Sequence, residues 1–99
     1  MNGIDPVIHQ PARLRLMAML VAFDHDEWID FTTLKKELDL TDGNLGAHIQ
    51  KLDEVKYVKV KKKFVGKRPK TLLQATEKGR TAFTTHRQAL QKSSAMGVE

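Results

Sequence analysis

Nine basic residues, Lys51, Lys56, Lys59, Lys61, Lys62, Lys63, Lys67, Arg68 and Lys70, crowd a stretch of twenty positions that holds only two acids, Asp53 and Glu54. This segment carries +7, whereas the remainder carries −2 and the whole chain +5. Charge concentrated in this way sets up a local field that attracts a polyanion, so the chemistry on offer is ion pairing with phosphate rather than bond making. Other chemistries are poorly served. The chain has no cysteine, which excludes disulfides, zinc ribbons and cysteine nucleophiles together. Asp24, His25, Asp26 and Glu27 are metal-ligand types, but consecutive residues of a turn seldom converge on one ion. His48 reads as a half-buried helix residue, His9 and His86 have no partner in the sequence, and Ser93 and Ser94 belong to no nucleophile motif. No glycine-rich phosphate cradle follows a strand. An enzyme, a bound metal and a cofactor are therefore not expected.

The cations need elements to hold them. Residues 1 to 10 read as irregular or a short turn, and Pro11 takes the first position of a helix. From Ala12 to Phe23 only Arg13 and Arg15 are not apolar, so this helix must bury more than one face, against its own core and against a second subunit. A chain of 99 residues makes one domain, and a symmetric partner would extend its limited core. After the polar break at residues 24 to 27, Trp28-Ile29 forms a short strand. Asp30 or Thr32 then caps a second helix, running to about Leu38, with Leu34 and Leu38 inward. Asp39-Leu40 is the turn into a third helix, Asp42 to about Val55, capped by Thr41.

Helical phasing of the third helix turns Leu45, Ile49, Leu52 and His48 to the core. The opposite face holds Gly43, Ala47, Gln50 and Glu54, flanked by Gly46, Asn44 and Lys51. Small residues there would let a backbone approach a groove floor, and Asn44, Gln50 and Lys51 could read bases or hold phosphate. Tyr57 to Phe64 alternates as a strand, Val65 to Lys70 forms the turn, and Thr71 to Ala75 returns. Tyr57 and Phe64, at the two ends of a strand, are expected to pack in the core. Thr76 caps a last helix carrying Ala82, Phe83, Ala89 and Leu90 inward. A tail from residue 93 to 99 is expected to fray, leaving about residues 7 to 92 ordered within a single domain spanning 1 to 99.

The order helix, short strand, helix, turn, helix, hairpin, helix is that of a winged helix. The chain resembles small winged-helix transcriptional regulators of the MarR/ArsR type. The resemblance rests on Pro11 to Leu16, on Leu40 to Ile49 with Leu52, on Tyr57-Val58, on Gly66 to Pro69, and on Thr76 to Arg80. It implies an α+β, mainly α fold: a three-helix core, a β-hairpin wing and a C-terminal helix. It further implies a homodimer, built from the first and last helices, that binds double-stranded DNA. Thr41, Asp42, Gly43, Asn44, Gly46, Ala47, Gln50 and Lys51 would meet the major groove. Lys67 and Arg68 at the wing tip would meet the minor groove or flanking phosphates, and the basic run itself adds Lys62 and Lys70 as candidate DNA contacts.

Two departures stand out. The cysteines of metal-sensing ArsR proteins are missing, and the chain is too short for the extra helices that enclose a ligand pocket in full-length MarR proteins, so an effector site is left open. The longest apolar run, Leu16 to Phe23, is eight residues, and no signal-type segment leads the chain, so a cytoplasmic protein without membrane contact is expected. Two other readings of the same residues are a winged-helix protein-interaction module, in which the basic hairpin binds an acidic protein, and an RNA-binding protein.

Overall fold

Gln10 turns the chain into its first helix. Its side-chain oxygen accepts from the Arg13 N–H at 2.9 Å, and Pro11 brings the preset φ suited to the first helical position. The computed structural model describes residues 3–95, with side chains as far as residue 92. The elements run α1 (Pro11–Val21), β1 (Ile29–Asp30), α2 (Phe31–Leu38), α3 (Asp42–Glu54), β2 (Val58–Val65), β3 (Arg68–Ala75) and α4 (Glu77–Ala95). This is an α+β winged helix-turn-helix with four helices and a hairpin wing. α4 continues past Lys92, where the apolar pattern stops, because helix hydrogen bonds need no apolar side chain. The fraying expected of the rest of the tail falls on residues 96–99, outside the described residues.

The helix ends follow local chemistry. Asp30 accepts from the Thr32 N–H at 2.9 Å and Thr41 from the Asn44 N–H at 3.1 Å, each satisfying an orphan donor of the first turn. α2 and α3 stop in the same way, with Asp39 (φ 55) and Lys56 (φ 64) in the left-handed region. The N–H groups of Leu40 and Tyr57 then reach back to the Lys35 and Leu52 carbonyls, at 3.1 and 2.9 Å. Arginines from elsewhere take other end carbonyls: Arg80 donates to Val21 and Phe23 at the end of α1, and Arg15 to Leu38 at the end of α2.

The three strands are antiparallel in the order β1-β3-β2. Here the hairpin departs from its reading in the sequence. β3 begins at Arg68 rather than Thr71, Val65 pairs with Arg68, and only Gly66 and Lys67 form the turn. Gly66, at φ 66, occupies the first central position of a two-residue hairpin, where positive φ suits the strand twist. Pro69 can sit inside the strand because it faces Phe64 in a pair without ladder hydrogen bonds. Its other side is open as well, since β1 reaches only Leu72 and Leu73.

Leu16, Met17 and Leu20 of α1 are buried against Leu34, Leu38, Leu45, Ile49, Leu52, Val58 and Leu73, so the apolar inward residues expected of α2 and α3 do form the core, while His48 is half-buried. On its other face α1 leaves Ala18 exposed, and just beyond its end Ala22 and Phe23 are exposed as well. Tyr57 packs against the core as expected, but Phe64 is 72% exposed. Residues 59–70 are all exposed, so the far half of the hairpin lies outside the core and Phe64 has no core residue packed on it.

Two residues outside that reading complete the core, Ile8 and His86, both 0% exposed. His9 and His86, without partners in the sequence, meet in space with ring centroids 5.3 Å apart. The His86 Nδ1 accepts from the Asp5 N–H at 2.9 Å, and the Asp5 carboxylate accepts from Val7 N–H, Ile8 N–H and the Tyr57 hydroxyl. Burial and that acceptor carboxylate push the Tyr57 hydroxyl up to about 12. Residues 3–10 are thus fastened to α4 and to the start of β2.

Burial, then the neighbouring His9, holds the His86 imidazole below its ordinary pKa, with Asp5 opposing. Burial and Arg13 lower His48 in the same sense. The unfolded chain therefore binds these protons more readily than the folded one. Stability is full above the ordinary histidine pKa of about 6.5 and falls as pH drops through it toward the lower folded values. Urea unfolding compared at about pH 7.5 and about pH 5.5 should show the loss, and His86→Gln should reduce it. Equal pH dependence in that variant would exclude His86 as a source.

Candidate nucleic-acid interface

Leu45, Ile49 and Leu52 anchor α3 in the core and so turn its other face to solvent. Thr41, Asp42, Gly43, Asn44, Ala47, Gln50 and Lys51 are exposed there, and Gly46 is half-buried at the border. A Cβ built on Gly43 or Gly46 would meet nothing within 4 Å, and neither glycine has positive φ. Internal packing therefore requires neither glycine, although glycine in a helix interior costs about 0.8–1 kcal/mol relative to alanine. What they provide is a low surface for something approaching from outside. Gly46→Ala should raise the stability of the free protein, by up to about 1 kcal/mol in chemical denaturation, while weakening a close docking of α3. A variant that gains stability and binds as well as the parent would show that nothing approaches this face.

Asp42 plays a second part. Its carboxylate lies 2.8 Å from Lys35 Nζ, which ties α3 to α2 and sets a negative charge at the helix N-terminus. The pair is exposed, so its worth is small.

Strand alternation divides the wing cations between two sides. Lys62 shares the core side of the sheet with Val58, Val60, Phe64, Pro69, Thr71 and Leu73. Lys59, Lys61 and Lys63 lie on the opposite side with Arg68 and Lys70. All of residues 61–70 are exposed. Lys70 donates to Asp30 at 2.8 Å, and this bond is the first cause holding the Asp30 carboxyl below its usual value. Lys61 lies 4.3 Å from the Trp28 ring centre. These two lysines brace the base of the wing. Lys62, Lys67 and Arg68 make no ion pair among the described residues and keep their charge available to a partner.

The base of the wing also brings together residues that sequence reasoning missed. A cleft of about 400 Å³ between β3 and the start of α2 is lined by Thr32, Thr33, Arg68, Lys70 and Thr71, with Asp30, Phe31 and Pro69. Thr32 and Thr33 have no local signal beyond a helix start; only the long β3 sets them beside Arg68. Elsewhere the acidic turn disperses. Glu27 accepts from the Asp24 N–H, His25 lies 2.9 Å from Glu77, and no group of three potential metal ligands occurs among the described residues. No described helix is long and apolar enough to cross a membrane.

A protruding hairpin with unpaired cations, beside a helix lean enough to enter a groove, is the equipment of a DNA-binding domain. The winged helix DNA-binding domain family matches residues 12–93. The chain belongs to that family. As a winged helix domain it is similar to the structure of a transcriptional regulator homologue from Pyrococcus horikoshii OT3, with a TM-score of 0.79 and 30% identity over 94% of this chain and 88% of that one. It is also 38% identical over 80 residues to an uncharacterized protein of Methanocaldococcus jannaschii, covering 81% of this chain and 84% of the relative. The family match takes in α2, α3 and both strands of the wing, so the two halves of the interface belong to one winged helix unit.

Proposed function

We propose that this winged helix domain is a cytoplasmic, MarR/ArsR-type transcriptional regulator that binds a pseudo-palindromic DNA site as a homodimer. α3 enters the major groove with Asn44, Gln50 and Lys51 nearest the bases and phosphates. Thr41, Asp42, Gly43, Gly46 and Ala47 form the close-approach surface. The wing cations Lys62, Lys67 and Arg68 meet the adjacent backbone or minor groove, and Lys70 sets the angle of the wing through Asp30. The carrying observation is the combination of open-sided Gly43 and Gly46 on the outward face of α3 with unpaired cations on the projecting hairpin.

The dimer is supported by the exposed side of α1. Ala18, Val21, Ala22 and Phe83 line the apolar half of a cleft whose polar half is His25, Arg80, Thr84 and Arg87, a mixed face that a second copy would cover.

Selection of bound sequences from random duplex DNA tests the whole reading. A two-fold dimer places its recognition helices about 34 Å apart, so the selected sites should contain inverted half-sites about 10 base pairs from centre to centre. A single asymmetric half-site bound by a monomer would remove the dimer. No duplex retained even at low salt would remove DNA binding and favour capture of an acidic protein by the wing.

A further inference from the structure

The wing carries more than charge. Phe64 is 72% exposed and Val65 51% exposed, immediately before the Gly66-Lys67 turn. Phe64 stands across from Pro69, on the same side as Lys62 and Thr71. An aromatic ring left in water on a two-stranded ribbon gains nothing for the fold, since no described core residue packs on it. We propose that Phe64, backed by Pro69, is an apolar wedge that enters the minor groove of duplex DNA and partly unstacks a base step, bending the duplex. This inference rests on the DNA-binding reading above and adds a deforming residue to it.

The surroundings select the occupant. Lys62 shares the ring's side of the ribbon, Lys67 stands in the turn beyond it, and Lys63 and Arg68 lie on the reverse side of the same tip, so a second copy of the tip is repelled and an apolar protein surface would strand these cations. A duplex satisfies both demands at once. Its phosphates line the groove edges, and its sugars and bases offer apolar faces between them. The two-residue turn keeps the tip narrow, and because a whole two-stranded ribbon is wider than the minor groove of about 6 Å, it is the side chains at the tip that would reach in. The groove must still open to admit a phenyl ring, and apolar wedges achieve this by kinking DNA toward the major groove. Flexible pyrimidine–purine steps, TA above all, deform most easily and should be preferred under the wing.

The test uses the duplex selected by the protein from random DNA, labelled at both ends for energy transfer. The parent protein should shorten the end-to-end distance, corresponding to a bend of about 20° or more. Phe64→Ala should abolish that change and weaken binding roughly tenfold, the scale of an aromatic–base contact. Its salt slope should stay that of the parent, because no phosphate contact is lost. Phe64→Leu, still a wedge, should retain part of the bend. The exposed position makes misfolding of these variants easy to exclude by their unfolding transitions. Parent-like affinity and bend in Phe64→Ala would overturn the wedge while leaving the DNA reading intact. So would a loss accompanied by a lower salt slope. Failure of the parent to select or bind any duplex would overturn both.

Discussion

Replacing Lys67 and Arg68 together with alanine lowers the slope of log affinity against log salt by about 1.8, from about 0.9 for each phosphate contact removed. Both residues sit at or beside the wing turn, both are exposed, and neither has an ion-pair partner among the described residues. Their charge is thus neutralised only when a polyanion arrives and releases its counterions. Over a fourfold rise in salt the parent should lose about tenfold more affinity than the double variant, so the gap between them narrows as salt rises. Lys70→Ala is the informative control. Its ammonium already rests on Asp30 at 2.8 Å, so its removal frees a carboxylate beside the wing and changes binding by another route than a lost phosphate contact. Affinities measured across a salt series decide the matter. A double variant with the parental slope would take the wing tip out of contact with DNA.

Gly79→Ala is the substitution expected to damage the fold most. A Cβ at Gly79 would lie 2.1 Å from the Tyr57 carbonyl oxygen and 2.9 Å from its carbonyl carbon. Neither is the end of a flexible side chain. Tyr57 O accepts from the Thr76 N–H at 3.0 Å, Thr76 Oγ1 donates to Lys56 O at 2.7 Å, and the same oxygen accepts from the Gly79 N–H at 2.9 Å. The first turn of α4 is therefore stitched to the turn between α3 and β2 at a separation that only glycine permits. Relief requires moving α4, with Phe83 and His86, away from the core, or breaking the stitches. Overpacking of this kind costs typically 1–3 kcal/mol and more where backbone must move. At about 3 kcal/mol the melting temperature should fall by roughly 12–24 °C. Gly46→Ala, whose added methyl meets nothing, should move stability in the opposite direction. A Gly79→Ala variant melting with the parent would refute the close approach.

The glycines show how far local reading goes. Gly43 and Gly46 were legible as a lean helix face because helical phase follows from spacing, and Leu45, Ile49 and Leu52 left only one way for that face to point. Gly79 carried no such signal. Its necessity comes from Tyr57, twenty-two positions earlier, and no periodicity connects the two. Phe64 shows the reverse case. Alternation placed it correctly in a strand, yet whether a strand end is covered depends on how far the hairpin runs past the helices.

The amino-acid order was sufficient for the element sequence, the cap at Thr41, the apolar inward faces of α2 and α3, and the segregation of positive charge; it left the cap of α2 between Asp30 and Thr32. All of these arise from interactions within a few residues along the chain, where spacing and side-chain type are decisive. The two-residue wing turn, the pairing of Lys70 with Asp30, the fastening of residues 3–10 by buried His86 and the Tyr57–Gly79 contact arise between segments that folding alone brings together. Those contacts divide the wing's basic residues into braces and free charges. Lys61 and Lys70 hold the wing, and Lys62, Lys67 and Arg68 are left to meet what it binds.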